Sequence, residues 1–556
     1  MNILTAKKDL LAMTDAELNS LYNYYEIPAV PRNDRNWLLA LAIHNKAGTM
    51  KTGDLGLEQL LRQTPVLEAL FKNLDIQGIV NLCQTNRELR QKCQDPTYWI
   101  EFIRKMRATQ QNLGFTANDF NNIVRRAVNS KSDTADAFLA AAVQAKAFQP
   151  IDYGYYLQEA ADINYPKFAK ALINAGANVN EHDDDGDTPL ILASSRNNAT
   201  DIVKMLIDAG ADLNKGDIFD STPLYHAIRN NQVETLKLLL DAGANVNSRD
   251  DNGKTLLMDV LDDSKKFKIL MGYGIDIHQK DENIAKILIE YGADVNLKDK
   301  NGSTALFYTD SSEIAKLLVD AGANVNHKNK NGNTPLIMAS IKNYINLVKF
   351  LIDSGANVNH QNIPGETALL IAAEGDKKEL VKMLIDAGAD VNLQDTKGFS
   401  ALLAAASKGK DIVKMFLDAG ANVNLQDFNG NTPLFISLYG DKETFEILLS
   451  AGADPNHKNI NGDTILFLTT KYKRPEITKM LLDAGANVNL QNTDGKTPLL
   501  QAIIHYNPNR ESTSKEIIKM LVDAGADPSL KDNHGVNALM LAEHYEHYDI
   551  VKLLKE

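Results

Sequence analysis

The residues in this chain whose types could do chemistry are its histidines, aspartates, asparagines and two cysteines. His327, His360 and His457 recur in equivalent settings, each just ahead of an Asn-containing turn. A shared metal ion would need their ring nitrogens about 2 Å from it. Equivalent points on stacked units are instead separated by roughly 8–10 Å, so a histidine ladder without metal is expected. The aspartates do not follow the D-x-D-x-D-G spacing that ends in a bidentate Glu, and Asp183–Gly186 reads as an acidic turn. Cys83 and Cys93 are the only cysteines. They argue against a disulfide framework and suit a reducing cytosol or nucleus, where they read as partly buried helix thiols. No Walker loop, G-x-S-x-G elbow or zinc spacing is present. The expectation is therefore no catalytic residue, no metal, no cofactor and no enzyme.

Charge narrows the partner. The chain of 556 residues has 44% hydrophobic and 24% charged residues, a globular composition. Its net charge of −13 divides into +3 over residues 1–150 and −16 over the remainder. An acidic surface repels phosphate backbones, so a neutral or basic protein surface is expected rather than nucleic acid. The start, MNILTAKKDLLAM, has no signal-peptide run, and no apolar stretch approaches the roughly 18 residues of a membrane span. A cytoplasmic setting with no membrane partner is expected.

The elements that carry these residues repeat. G-A-[ND]-x-N recurs with its Gly at 176, 210, 243, 292, 322, 355, 388, 420, 452 and 485, with variants at 274 and 525, mostly 30 to 34 residues apart. About 12 residues after each Gly stands T-P-L, as at 188–190, 222–224, 334–336, 432–434 and 497–499, or a relaxed form such as TAL at 367–369. Thr188 and Thr334 can N-cap a first helix, with Pro189 and Pro335 at N1. A second helix such as Asp201–Ala209 ends at Gly210, which suits the left-handed position after a helix. Asp299–Gly302 or Asn329–Gly332 then supplies a projecting turn.

With these landmarks over about 400 residues, the chain from residue 151 to 556 is identified as a member of the ankyrin-repeat family. The resemblance implies an all-α solenoid with short β-turn fingers, preceded by a small helical N-terminal region. It also implies a monomer that binds a protein target on a concave face of fingers and first helices. Asn296 and Asn392 have Leu288 and Leu384 eight residues upstream and an acidic residue two before. They resemble substrates of the asparagine hydroxylase that modifies this family, although turn stabilisation by the side chain also explains them.

The array departs from regularity. Only 18 residues separate Gly274 from Gly292. A second helix, Glu282–Tyr291, is readable there, with no T-P-L segment or first helix before it. This irregular half-repeat near 275–292 predicts either a joint across 262–285 or a simple packed insertion. The 40-residue step to Gly525 predicts a longer loop at Tyr506–Ser514, and His544–Lys555 is expected to cap the array. Finger tips, ordinarily polar, are apolar at Ile218, Ile363, Phe428 and Ile460, and Phe399 adds an exposed-looking aromatic. They are candidates for partner contact, with lateral packing between fingers as the alternative.

Before the array, residues 64–99 within a 60–104 segment resemble an F-box. Pro65, Leu67, Leu70, Phe71 and Leu74 form one helical face, Ile79, Leu82 and Leu89 continue it, and Asp95, Pro96 and Trp99 close the motif. Thr64 replaces the usual Leu before Pro. The resemblance implies that Pro65, Leu67, Leu70, Leu74, Ile79, Leu82 and Trp99 dock the adaptor protein of a cullin-type ubiquitin ligase. Residues 1–50 are similar to a SAP-like helical module but lack the basic footprint of DNA binding, and 105–150 reads as a helical connector. Two functions compete: a substrate receptor for ubiquitination, and a scaffold or sequestering protein with no such link. F-box and ankyrin combinations resemble those of large DNA viruses and intracellular bacteria, which suggests host cytoplasm or nucleus.

Overall fold

In each repeat, one apolar residue pattern decides which faces turn inward. Second helices carry buried residues at i, i+1 and i+4, as in Ile202, Val203 and Leu206, or Ile412, Val413 and Phe416. That spacing places all three on one helical stripe. Each first helix buries the Leu of its T-P-L segment, including Leu190, Leu336, Leu434 and Leu499. Burying one such side chain contributes roughly 1.5–3 kcal/mol, and no single repeat supplies both walls of its core. The structure is a computed structural model that describes residues 153–262, 277–506 and 512–555, the helix 133–144 and scattered positions between 91 and 127. The described residues are helical with no sheet, and their only strand-like pairings are isolated bridges such as Gln394 with Ser400.

The chain divides into two compact units, residues 1–251 and 252–556. In the first, Asp133–Gln144 is followed by the helix pairs Tyr153–Asp162 with Pro166–Asn174, Pro189–Ser195 with Thr200–Asp208, and Pro223–Arg229 with Val233–Asp241. Large aromatic side chains fill its leading end. Tyr156 and Phe168 are buried with ring centroids 6.4 Å apart, and Tyr165 and Lys167 both donate to the carboxylate of Asp136. In the second unit the pairs run from Leu256–Leu261 with Ile277–Glu290 to Ala538–His544 with Tyr548–Lys555.

Helix starts follow the expected chemistry. The hydroxyl of Thr188 accepts from the backbone N–H of Ile191 at 3.2 Å, and Thr367 and Thr497 accept likewise from Leu370 and Leu500. The same bond is missing at Thr432 and at Thr304, where the first helix shrinks to the 3₁₀ turn Ala305–Phe307. That short turn goes with the 30-residue step from Gly292 to Gly322.

The segment read as a half-repeat is placed differently. Leu256–Leu261, capped by Thr255, packs directly against Ile277–Glu290. The finger at Asp250–Gly253 is hydrogen bonded to the one at Asp299–Gly302 through Lys300 N–H and Asn252 C=O at 2.9 Å. Among the described residues, one helix pair lies between these two fingers. The absent first helix is Leu256–Leu261, set off from its partner by the intervening residues. The expected joint across 262–285 lies largely outside the described residues, as do most of the Tyr506–Ser514 loop, the SAP-like module and residues 64–90.

The last pair closes the second unit. Its final helix buries Ile550 and turns charged residues outward. Tyr506 donates to Asp549 at 2.7 Å, and Lys515 pairs with the same carboxylate at 2.7 Å. Burial pushes the Tyr506 hydroxyl up to about 12, with the Asp549 hydrogen bond adding to it. Burial also acts to raise Asp549, but the bonds from Lys515 and Tyr506 outweigh it and hold the carboxyl below its usual range. A depressed carboxylate contributes stability above its unfolded value that is lost as pH falls through the folded one. Tyr506→Phe is expected to cost about 0.5–1.5 kcal/mol at pH 7. The difference from wild type should shrink below pH 4, read by urea denaturation across pH.

Candidate protein-interaction surface

Each finger begins with an Asp or Asn whose side chain folds the turn. Asp395 Oδ1 accepts from the backbone N–H groups of Lys397 and Phe399, both at 2.8 Å, and Gly398 N–H donates to the Asp395 carbonyl at 3.0 Å. Gly398 has φ +82°, which a side chain rarely adopts. A methyl there would also stand 2.9 Å from both the backbone nitrogen and the ring of Phe428 on the next finger. Neighbouring fingers are thus in van der Waals contact, and within each unit they are bonded one to the next. Phe428 N–H donates to Lys397 C=O at 3.0 Å, Ile460 to Asn429 at 2.9 Å, and Ile363 to Asn331 at 3.1 Å. In the first unit, Ile218 N–H donates to Asp185 C=O at 3.1 Å.

That bond fixes the residue after the Asp or Asn with its amide inward and its side chain outward. Ile218, Ile363, Phe428 and Ile460 are 61%, 68%, 73% and 68% exposed. Lateral packing between fingers therefore does not bury them. Phe399 differs from expectation. It lies at the finger's base, where its backbone N–H is held by Asp395, and its side chain is half-buried. Phe219, beside Ile218, is 71% exposed and was not singled out from sequence. Asp220 takes the glycine position of that finger with φ +58°. The missing glycine was the sequence signal that this finger differs from the rest.

The histidines and asparagines are structural. Nε2 of His327, His360 and His457 donates to the carbonyls of Gly302, Gly332 and Gly430 at 2.8–2.9 Å, tying each finger approach to the previous finger. Asn296 accepts from Asn324 N–H at 3.0 Å and donates to Gly322 C=O at 2.9 Å. Asn392 bridges to Asn422 and Gly420 in the same way.

Of the F-box-like residues, Pro65, Leu67, Leu70, Leu74, Ile79 and Leu82 lie outside the described residues. Trp99 is a core residue, 2% exposed, with its ring edge-to-face on Phe138 at 5.4 Å. The expectation that it contacts a partner is corrected by that burial. Thr97 bonds to Asp95 just ahead of it.

Sequence reasoning also missed a meeting of Asp187, Asp217 and His226, whose ligand atoms lie within 4.8 Å of one another. Burial, with Asp183, pushes Asp187 above its usual range; His226 opposes this, and Asp217 and Asp185 add to it.

Fingers, capped first helices and left-handed glycines in register define a class of stacked helix-pair proteins. The chain belongs to the ankyrin-repeat family: the profile described as "Ankyrin repeats (3 copies)" matches residues 121–217, 157–250, 198–281, 277–362, 369–459, 437–532 and 466–556. Among solved structures it is similar to the ankyrin repeat domain of Bcl-3, described as a unique member of the IkappaB protein family. The identity is 26%, covering 41% of this chain and 100% of that one, with a TM-score of 0.36. No curated protein matches the chain. Among the described residues no helix is long and apolar enough to cross a membrane. Ankyrin repeats mark a protein-binding scaffold.

Gly398→Ala combines a positive φ with a backbone collision. It is expected to cost at least about 1–2 kcal/mol and to speed hydrogen exchange at the Phe428 amide. Unchanged exchange at that amide would contradict the finger bond.

Proposed function

We propose that the second unit captures a target protein along its fingers, with Ile363, Phe428 and Ile460 as the apolar contacts. Three large apolar side chains held outward by finger-to-finger bonds carry this reading. They have no core to join, and side chains of this kind dominate protein interfaces when a partner removes them from water. The −16 balance of residues 151–556 suits a target with a neutral or basic surface.

The F-box-like pattern from Pro65 to Trp99 extends the reading: the array holds a target while the N-terminal segment recruits the adaptor of a cullin-type ubiquitin ligase, in a cytoplasmic or nuclear setting. A scaffold without ubiquitination is the competing function, and one experiment separates them. The full chain is expressed with an affinity tag in eukaryotic cells, and its co-purifying proteins are compared across variants. Ile363→Asp with Phe428→Asp and Ile460→Asp is expected to reduce recovery of the target at least tenfold, with unchanged far-UV circular dichroism. Pro65→Ala with Leu74→Ala should lose the cullin adaptor and keep the target. Adaptor absence in wild type would remove the ligase reading, and full target recovery by the triple variant would remove the finger-tip reading.

A further inference from the structure

The repeats act as controls on one another at the joint where one finger's last residue meets the next finger's first. At two of these joints in the second unit an amide closes the contact. Asn362 Nδ2 donates to Asn333 Oδ1 at 3.0 Å, and Asn492 Nδ2 donates to Asp463 Oδ1 at 2.8 Å. In the first unit the corresponding residues are Asp187 and Asp217, two carboxylates with no amide between them. Asp187 Oδ1 is sealed from solvent and has no hydrogen-bond partner. A buried carboxylate oxygen facing another carboxylate is costly unless a positive charge joins them.

His226 completes the arrangement. Its Nε2 stands 3.0 Å from Asp217 Oδ2 and its Nδ1 stands 3.2 Å from the Ser195 hydroxyl. Ser195 donates its hydroxyl proton to the Ile191 carbonyl at 3.1 Å, which leaves its oxygen to accept from Nδ1–H. That network allows Nδ1 to carry the proton and turns Nε2 toward the carboxylates. With Nδ1 as the donor, Nε2 presents a lone pair beside Asp217 Oδ2, and an ion placed there would be held by both. Metal-ligating histidines are oriented in this way, with the second ring nitrogen donating to a fixed oxygen.

We propose that Asp187, Asp217 and His226 form a binding site for a divalent transition-metal ion of the zinc class. One imidazole nitrogen and two carboxylate oxygens suit a borderline ion, whereas magnesium and calcium prefer all-oxygen shells. The ion clips the first finger to the second. Asp217 Oδ1 already holds the backbone N–H groups of Phe219 and Ser221, so an ion on its other oxygen stiffens the finger that displays Ile218 and Phe219. It also offsets the acidic cluster of Asp183, Asp184 and Asp185 beside it.

The test uses the full chain freed of metal by a chelator and titrated with zinc chloride, then with magnesium chloride, by isothermal calorimetry at pH 7.5. Wild type is expected to show one saturable zinc site that magnesium does not fill. Asp187→Asn puts at this position the residue that Asn333 supplies at the equivalent joint, so it should fold and lose zinc affinity at least tenfold. His226→Gln should show the same loss, and circular dichroism checks both folds. Zinc binding retained at wild-type affinity in both variants overturns the site. So does the lack of a saturable zinc event in wild type, or magnesium binding as tight as zinc.

Discussion

Within each of the two units, a backbone hydrogen bond from the second residue of one finger to the third residue of the finger before it sets the register of the repeats. A helix pair of about 33 residues is too small to enclose a core. Its buried leucines find partners only on the neighbouring pair, and the neighbour must arrive at one height and one angle. The finger bond, the bridge from Asn296 or Asn392 to the following repeat, and the His360 bond to Gly332 all pin that height. Glycine at the fourth finger position follows from the same closeness, since a Cβ at Gly398 meets the next backbone.

Strict register makes a repeat array sensitive to what stands at each joint. Identical backbone geometry brings different side chains face to face, and their chemistry decides whether the contact is neutral, favourable or strained. Asn333 with Asn362 is a satisfied amide pair. At the next equivalent position in another repeat, Tyr308 donates to Asp299 from the first helix, much as His226 reaches Asp217. Two carboxylates stand at the joint of Asp187 with Asp217 and again at that of Glu366 with Asp395, but Glu366 accepts from Asn362 at 2.9 Å whereas Asp187 Oδ1 has no hydrogen-bond partner.

Periodicity made most of the fold legible. Thr188, Pro189 and Leu190 announce a capped first helix, and Ile202, Val203 and Leu206 announce an inward stripe, because those signals are local. The apolar tips were legible too, since the position after the finger's Asp or Asn is determined by the turn. What stayed hidden depends on distance along the chain. The pairing of Leu256–Leu261 with Ile277–Glu290 is masked by the residues between them, so spacing suggested a half-unit. Phe399 looked like a tip because it adjoins one, yet one step past the glycine the chain already descends to the helix. Asp187, Asp217 and His226 come from two fingers and a helix, and no spacing rule joins them.

The energetics of the tips also bound what a partner must supply. Removing Ile363, Phe428 and Ile460 from water contributes roughly 1.5–3 kcal/mol each, whereas association costs an estimated 4–15 kcal/mol in lost freedom. Three tips therefore nearly balance that cost and cannot by themselves give tight binding. The remainder has to come from the surfaces beside them, on an array whose residues 151–556 carry a balance of −16. Carboxylates held in place by the fold are pre-organised for a basic partner and lose little freedom on contact. On the proposed reading the apolar tips determine where a partner sits, while the acidic charge of the array sets how fast it arrives and how strongly salt weakens it.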